Sequence, residues 1–123
     1  MAVYRRLKID QRPAWSDVTS AGSARISAGE SFDPHYHDCD EYWLIYGGHA
    51  LVSVDGERYT VGAGDIVCTQ SGRVHDILAV DGTLEMFWFE GVLAPGGRAG
   101  HLHSTPQDAA GHPIATLPPP VEG

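Results

Sequence analysis

The apolar and polar positions of this chain follow the pattern of β-strands. Short runs rich in β-branched and aromatic residues recur, and helical periodicity is almost absent. Residues 23–28, 41–46, 49–54, 57–61, 65–69, 75–80 and 84–90 read as strands. Between them lie Gly47-Gly48, Asp55-Gly56 and Asp81-Gly82. Each predicts a tight hairpin, because glycine and aspartate tolerate the positive φ that such turns require. Strands at near-regular spacing, set off by turns, imply an all-β sandwich or barrel. Residues 3–9 alternate apolar and polar side chains and predict an edge strand. An open edge invites pairing with a second copy, so a homodimer is expected.

The strand period of two also predicts which side chains share a face. If Glu41 points inward, Trp43 and Ile45 point with it, and His75 carries Ile77 and Ala79. In residues 84–90, Leu84, Met86 and Trp88 form one face and Glu85, Phe87 and Phe89 the other; the pattern leaves open which is inside. After Gly91 the composition turns to glycine and proline, which predicts irregular coil wrapped on the body. The expected organisation is one domain over residues 1–115 and a loose, proline-rich tail over 116–123.

Bulk composition narrows the classes of function. A chain of 123 residues can bury a core without disulfides. Its formal charge is −8 and it has no Lys/Arg cluster, which argues against nucleic acid as a partner. No apolar run approaches the ~20 residues of a membrane helix, and the N-terminus lacks the apolar stretch of a signal peptide. A cytoplasmic protein is therefore expected, with Cys39 and Cys68 as free thiols in a reducing compartment. No nucleophile elbow, phosphate loop or dinucleotide fingerprint occurs.

The candidate chemistry lies in one cluster. Gly29, His35, His37, Glu41 and Gly48 stand six, two, four and seven residues apart. His35 and His37 differ by the strand period and can face the same side. Imidazole and carboxylate suit a first-row transition metal, so the local sequence points to a metal site built on a sheet. Downstream, Gly64 and Asp65 open the apolar run Ile66-Val67-Cys68, which leads to Gly72 and His75.

With His75 added, the spacing resembles the two signature motifs of the cupin superfamily. The first, over residues 29–48, matches at every fixed position; in the second, over 64–79, Gly64, Gly72 and His75 match. Gln70 stands where proline is usual and Ala79 where asparagine is usual. Neither departure touches a ligand, but both leave the turn before His75 and the end of its strand less defined.

The resemblance implies a double-stranded β-helix, the cupin jelly-roll barrel. It also implies one divalent transition metal (Fe, Mn, Zn or Ni) held by His35, His37, Glu41 and His75. Four protein ligands on a five- or six-coordinate ion leave positions for water or substrate, whereas structural zinc usually involves cysteine. The implied activity is metal-dependent chemistry on a small oxygen-rich molecule (a sugar, sugar acid, diketone or similar) as a dioxygenase, isomerase, lyase or cyclase. The alternative is a metal- or ligand-binding module without catalysis.

Trp43, Met86 and Trp88 are expected to line a substrate pocket, against the simpler reading of core packing. His101 and His103 form a second H-x-H without a following carboxylate. They read as a lid or acid–base pair beside the metal, or else as coil held by hydrogen bonds. Asp33, Asp38 and Asp40 read as loop formers, one of which could orient a ligand histidine. Cys39, lying between ligands, would reach the metal only if its loop turned inward.

Overall fold

The computed structural model describes residues 2–120. The strands are β1 (Ser20–Ser27), β2 (Ser31–Phe32), β3 (Glu41–Val54), β4 (Glu57–Gly62), β5 (Ile66–Thr69) and β6 (His75–Glu90). A short helix α1 (Pro106–Ala110) and the strands β7 (His112–Pro113) and β8 (Ala115–Thr116) follow.

The two long strands, β3 and β6, pair with each other and form the spine. Each is flanked differently along its two halves. Residues 41–44 of β3 pair with β5, and residues 49–54 pair with β4. On β6, residues 83–90 pair with β1, and residues 79–80 pair in parallel with β8. The spine therefore carries two four-stranded layers, β1-β6-β3-β5 and β8-β6-β3-β4. Both contribute to one core, with Trp43, Ile45, Leu84 and Met86 from the first and Ala50, Val52, Ile77 and Val80 from the second. This is the double-stranded β-helix arrangement.

Two of the three expected hairpins are not turns. Gly47-Gly48 and Asp81-Gly82 lie inside β3 and β6, where Gly47 faces Glu85, His49 faces Asp81 and the pairing shifts register between Ile45 and His49. The segments 41–46 and 49–54 are one strand, and so are 75–80 and 84–90. The glycines serve a bend instead. Gly48 has φ 81°, and a Cβ there would lie 2.1 Å from the Thr83 carbonyl oxygen, so only glycine lets the strands approach at the crossover. At Asp55-Gly56 the hairpin forms as expected, with φ 51° and 81° at the two turn residues and Val54 opposite Glu57.

The expected N-terminal edge strand contracts to a single bridge, Leu7 to Ala21. A turn closed by Gln11 N–H donating to the Lys8 carbonyl at 2.9 Å ends the pairing there. The segment after Gly91 is mostly irregular but is anchored by its short elements. β7 pairs with β2, β8 pairs with β6, and Ile114 is buried in the core.

The facing expectations hold on β3, where Glu41, Trp43 and Ile45 are buried and Tyr42 and Tyr46 exposed. On β6, Leu84 and Met86 are buried while Phe87 and Phe89 face outward. The inner face is the one carrying Trp88 and, at its end, Glu90.

Candidate metal centre

The backbone brings the two motifs together before any side chain acts. His35 and His75 exchange both backbone hydrogen bonds, at 3.2 and 2.9 Å. The loop after His37 is fastened to the loop before His75 by Gly72 N–H donating to the His37 carbonyl at 2.8 Å, and by Ser71 N–H donating to the Asp40 carboxylate at 2.8 Å. The turn at Gln70 forms without the usual proline, closed by Arg73 N–H to the Gln70 carbonyl at 3.1 Å.

His35, His37, Glu41 and His75 are all buried, and one ligand atom from each lies within 4.8 Å of the others. The Nε2 atoms of His35 and His75 are 2.8 Å apart. Glu41 Oε1 stands 3.2 Å from His75 Nε2, and Oε2 stands 3.3 Å from His37 Nε2. Buried and without a well-formed hydrogen bond among the described residues, His37 Nε2 faces this cluster. Convergent lone pairs with too few protons among them repel one another unless a cation sits between, so the donor set fits a divalent metal.

Surrounding groups fix how these side chains point. His35 Nδ1–H donates to the Asp33 carbonyl, and His37 Nδ1–H to the Gly100 carbonyl at 2.9 Å, with Glu90 Oε1 also at 2.9 Å. Glu90 is held in turn by Ser20 Oγ–H at 2.6 Å. Trp43 Nε1–H donates to Glu41 Oε1 at 2.8 Å, so this indole both orients the carboxylate and forms part of the wall. Such outer contacts set the tautomer and direction of metal-binding imidazoles. His75 Nδ1 has no hydrogen-bond partner among the described residues; its ring is held by burial and by packing against Trp43, centroids 4.6 Å apart.

Charge follows the same geometry. Burial, with help from neighbouring histidines, drives His35 down to about 4 and His75 well below the usual imidazole range, which leaves both as neutral donors. Burial also opposes charge at His37, but Glu41 and Glu90 outweigh it and raise this imidazole to about 10. A positive charge is therefore favoured beside His37, whether as a proton or as a metal. Cys39 is buried, and burial followed by Glu90 and Glu41 pushes its thiol up to about 12, which keeps it protonated and a poor ligand. Both cysteines are free.

A cavity of about 540 Å³ opens beside the cluster, with Trp43, Met86, Trp88 and His101 among its lining residues together with His35 and Glu41. His101 stacks on His35, ring centroids 3.6 Å apart and 8° from parallel. His103 is not among the lining residues. It donates through Nε2 to Asp33 Oδ2 at 2.7 Å, and His101 Nδ1 reaches the same oxygen at 2.9 Å. The second H-x-H is thus coil pinned by Asp33, with one of its two rings over the site. Asp38 accepts from Arg98 N–H at 2.8 Å and Asp40 from Ser71, so both build loops, as expected.

Three contributors are absent from the expected site: Glu90, Ser20 and the Gly100 carbonyl. Glu90 was open to inference, since it continues the Leu84-Met86-Trp88 face by one more period. No sequence signal pairs Ser20 with Glu90 or Gly100 with His37, contacts that span 70 and 63 residues.

The cupin domain model matches residues 22–92. Uncharacterized protein y4oW of Sinorhizobium fredii is 42% identical over 72 residues, covering 58% of this chain and 33% of its own length. Gentisate 1,2 dioxygenase 1 of Aquipseudomonas alcaligenes is 37% identical over 76 residues, covering 61% of this chain and 22% of its own. The chain thus spans a third or less of the curated relatives it matches. A solved RmlC-like cupin with a double-stranded β-helix fold from Methanocaldococcus jannaschii superposes with a TM-score of 0.56 at 19% identity, covering 63% of this chain and 73% of that one. No helix among the described residues is long and apolar enough to cross a membrane. With its motifs, its strand order and a family match across more than half its length, the chain belongs to the cupin domain family.

Proposed function

We propose that the protein binds one divalent transition metal (iron, manganese, zinc or nickel) through His35, His37, Glu41 and His75. In the adjoining cavity it acts on a small oxygen-rich molecule as a dioxygenase, isomerase, lyase or cyclase. The observation that carries this reading is the convergence of four buried donor atoms within 4.8 Å beside a cavity of about 540 Å³. A metal held there would supply Lewis acidity to a chelated pair of substrate oxygens and an open position for water or dioxygen. The chain's own residues do the rest. Trp43, Met86 and Trp88 offer apolar walls to a flat substrate and exclude water. His101, stacked on His35, covers one side of the site.

Within this reading an oxygenase is favoured by the 37% identity to gentisate 1,2 dioxygenase 1. The homodimer and the cytoplasmic location are also part of the proposal. Exposed Tyr42, Tyr46, Phe87 and Phe89 on the outer face of β3 and β6 support the first, and two unpaired cysteines support the second.

Metal analysis of protein purified without added metal is expected to find about one transition metal per chain, lost in His75→Ala. Full retention in that variant would overturn the site. Turnover of sugar acids, diketones and catechols is then compared under air and under nitrogen. Oxygen-dependent consumption identifies an oxygenase, and anaerobic turnover an isomerase, lyase or cyclase. Binding without turnover under either atmosphere would make the protein a ligand-binding module.

A further inference from the structure

The cavity has a cationic rim that neither the motifs nor the metal donors require. The chain holds only 8 Lys and Arg against 16 Asp and Glu, yet Arg6 and Lys8 both line this one cavity. Their placement follows from the backbone. Leu7 is bridged to Ala21 through hydrogen bonds of 2.8 and 3.2 Å, so its neighbours on either side point together to the opposite face. That face is the open side of the cavity, where both are exposed while Leu7 is half-buried.

Arg6 is positioned as well as present. Its guanidinium lies 5.3 Å from the centre of the Trp88 ring, the same indole that lines the cavity. Gly22 makes this packing possible. A Cβ there would meet the Trp88 ring at 2.9 Å and the Arg6 Cγ at 3.5 Å, so any side chain would displace the ring on which the guanidinium rests.

The described residues pair neither of these charges with a carboxylate. Arg25, Arg73 and Arg98 have carboxylate partners in Glu85, Asp55 and Asp38. Arg6 and Lys8 make no ion pair among the described residues. The two carboxylates lining the cavity are already engaged, Glu41 by Trp43 and the histidines and Glu90 by His37 and Ser20. In a chain of charge −8, two unpaired cations over one cavity focus a local positive potential where the rest of the surface repels anions.

We propose that Arg6 and Lys8 form an anion subsite that selects substrates bearing a carboxylate at the end remote from the metal. This rests on the metal-site reading above and narrows its substrate class from oxygen-rich molecules in general to carboxylates long enough to bridge cluster and rim. The guanidinium fork matches a carboxylate through two parallel hydrogen bonds, Lys8 adds a second charge, and Trp88 offers its face to the body of the molecule.

The test uses two nearly isosteric probes, 3,4-dihydroxybenzoate and 3,4-dihydroxybenzamide, whose catechol end chelates a metal and whose far end differs only in charge. Binding to cobalt-loaded protein is measured by calorimetry under nitrogen at low salt, and the visible spectrum of cobalt reports occupancy of the metal site independently. Wild type is expected to bind the acid about tenfold more tightly than the amide. In the double variant Arg6→Gln/Lys8→Gln that ratio falls to near one while the amide affinity is unchanged, and in wild type it shrinks as salt is added. Equal binding of the two probes by wild type, or a ratio that survives in the double variant, overturns the subsite. Cobalt retained with neither probe bound also overturns it and leaves the metal site standing. A chain that shows no cobalt spectrum overturns the metal reading itself and takes the subsite with it.

Discussion

At the scale of single residues, the ring of groups behind the ligands sets what the cluster can do. Glu90 touches His37 through Nδ1, on the side of the ring away from Glu41, and is fixed by Ser20. Removing its charge weakens the pull that keeps His37 oriented and electron-rich, without deleting a ligand. Glu90→Gln is expected to lower metal affinity by about 10- to 100-fold with little change in folding, read by competition with a chelator of known affinity. An unchanged affinity would show that the Gly100 carbonyl alone orients the ring. The four candidate ligand positions were legible as a group because two motifs with fixed spacing carry them, and Trp43 was legible as a neighbour because it sits one period from Glu41. That its indole would donate to the Glu41 carboxylate was not, since parity places a side chain on a face and says nothing about its rotamer.

At the scale of elements, glycines divide by what surrounds them. Gly48 and Gly56 share φ 81°, but a Cβ at Gly48 would overlap the Thr83 carbonyl, whereas nothing lies within 4 Å of a Cβ at Gly56. Gly56→Ala is therefore expected to cost about 1 kcal/mol from backbone strain alone. Gly48→Ala, which must also part β3 from β6, is expected to cost on the order of 3 kcal/mol. Urea unfolding of the two variants tests the contrast, and equal losses would mean that the crossover relaxes freely. The expected turns at Gly47-Gly48 and Asp81-Gly82 went wrong for the same reason. Glycine permits a positive φ, but a hairpin and a bulge between long strands both need one, and only the partner strand decides between them.

At the scale of the whole molecule, the segment after Gly91 closes the structure onto the site. Gly100 and His101 reach His37 and His35, and further on β7 and β8 fasten the chain to β2 and β6. His112 seals this attachment by donating to the Asp76 carboxylate at 2.7 Å. Burial lowers the His112 imidazole, but its bond to Asp76 outweighs this and holds it above its ordinary value; burial raises Asp76 despite the same bond. Both groups thus hold protons more tightly folded than unfolded. The Asp76 contribution is lost as pH rises through its raised carboxyl value. The His112 contribution is full below pH ~6.5 and is lost only as pH rises through the raised histidine value. His112→Ala is expected to cost about 1–2 kcal/mol near pH 6 and less near pH 9, measured as the gap in thermal unfolding from wild type. A gap that widens with pH would refute this assignment.

The sequence by itself determined the all-β class, the shared face of Glu41, Trp43 and Ile45 on β3, the Asp55-Gly56 hairpin and the four candidate ligands. All of these depend on local spacing, which the strand period converts directly into direction. Which face of residues 84–90 lies inside was decided by the fold. Only the tertiary structure decided that four of the seven expected strands would merge into two long ones, because strand length depends on what pairs alongside. It alone also brought Ser20, Glu90 and Gly100 behind the histidines, and set Arg6 and Lys8 over the cavity. Those groups come from opposite ends of the chain, and their meeting depends on how the layers close, which no local pattern records.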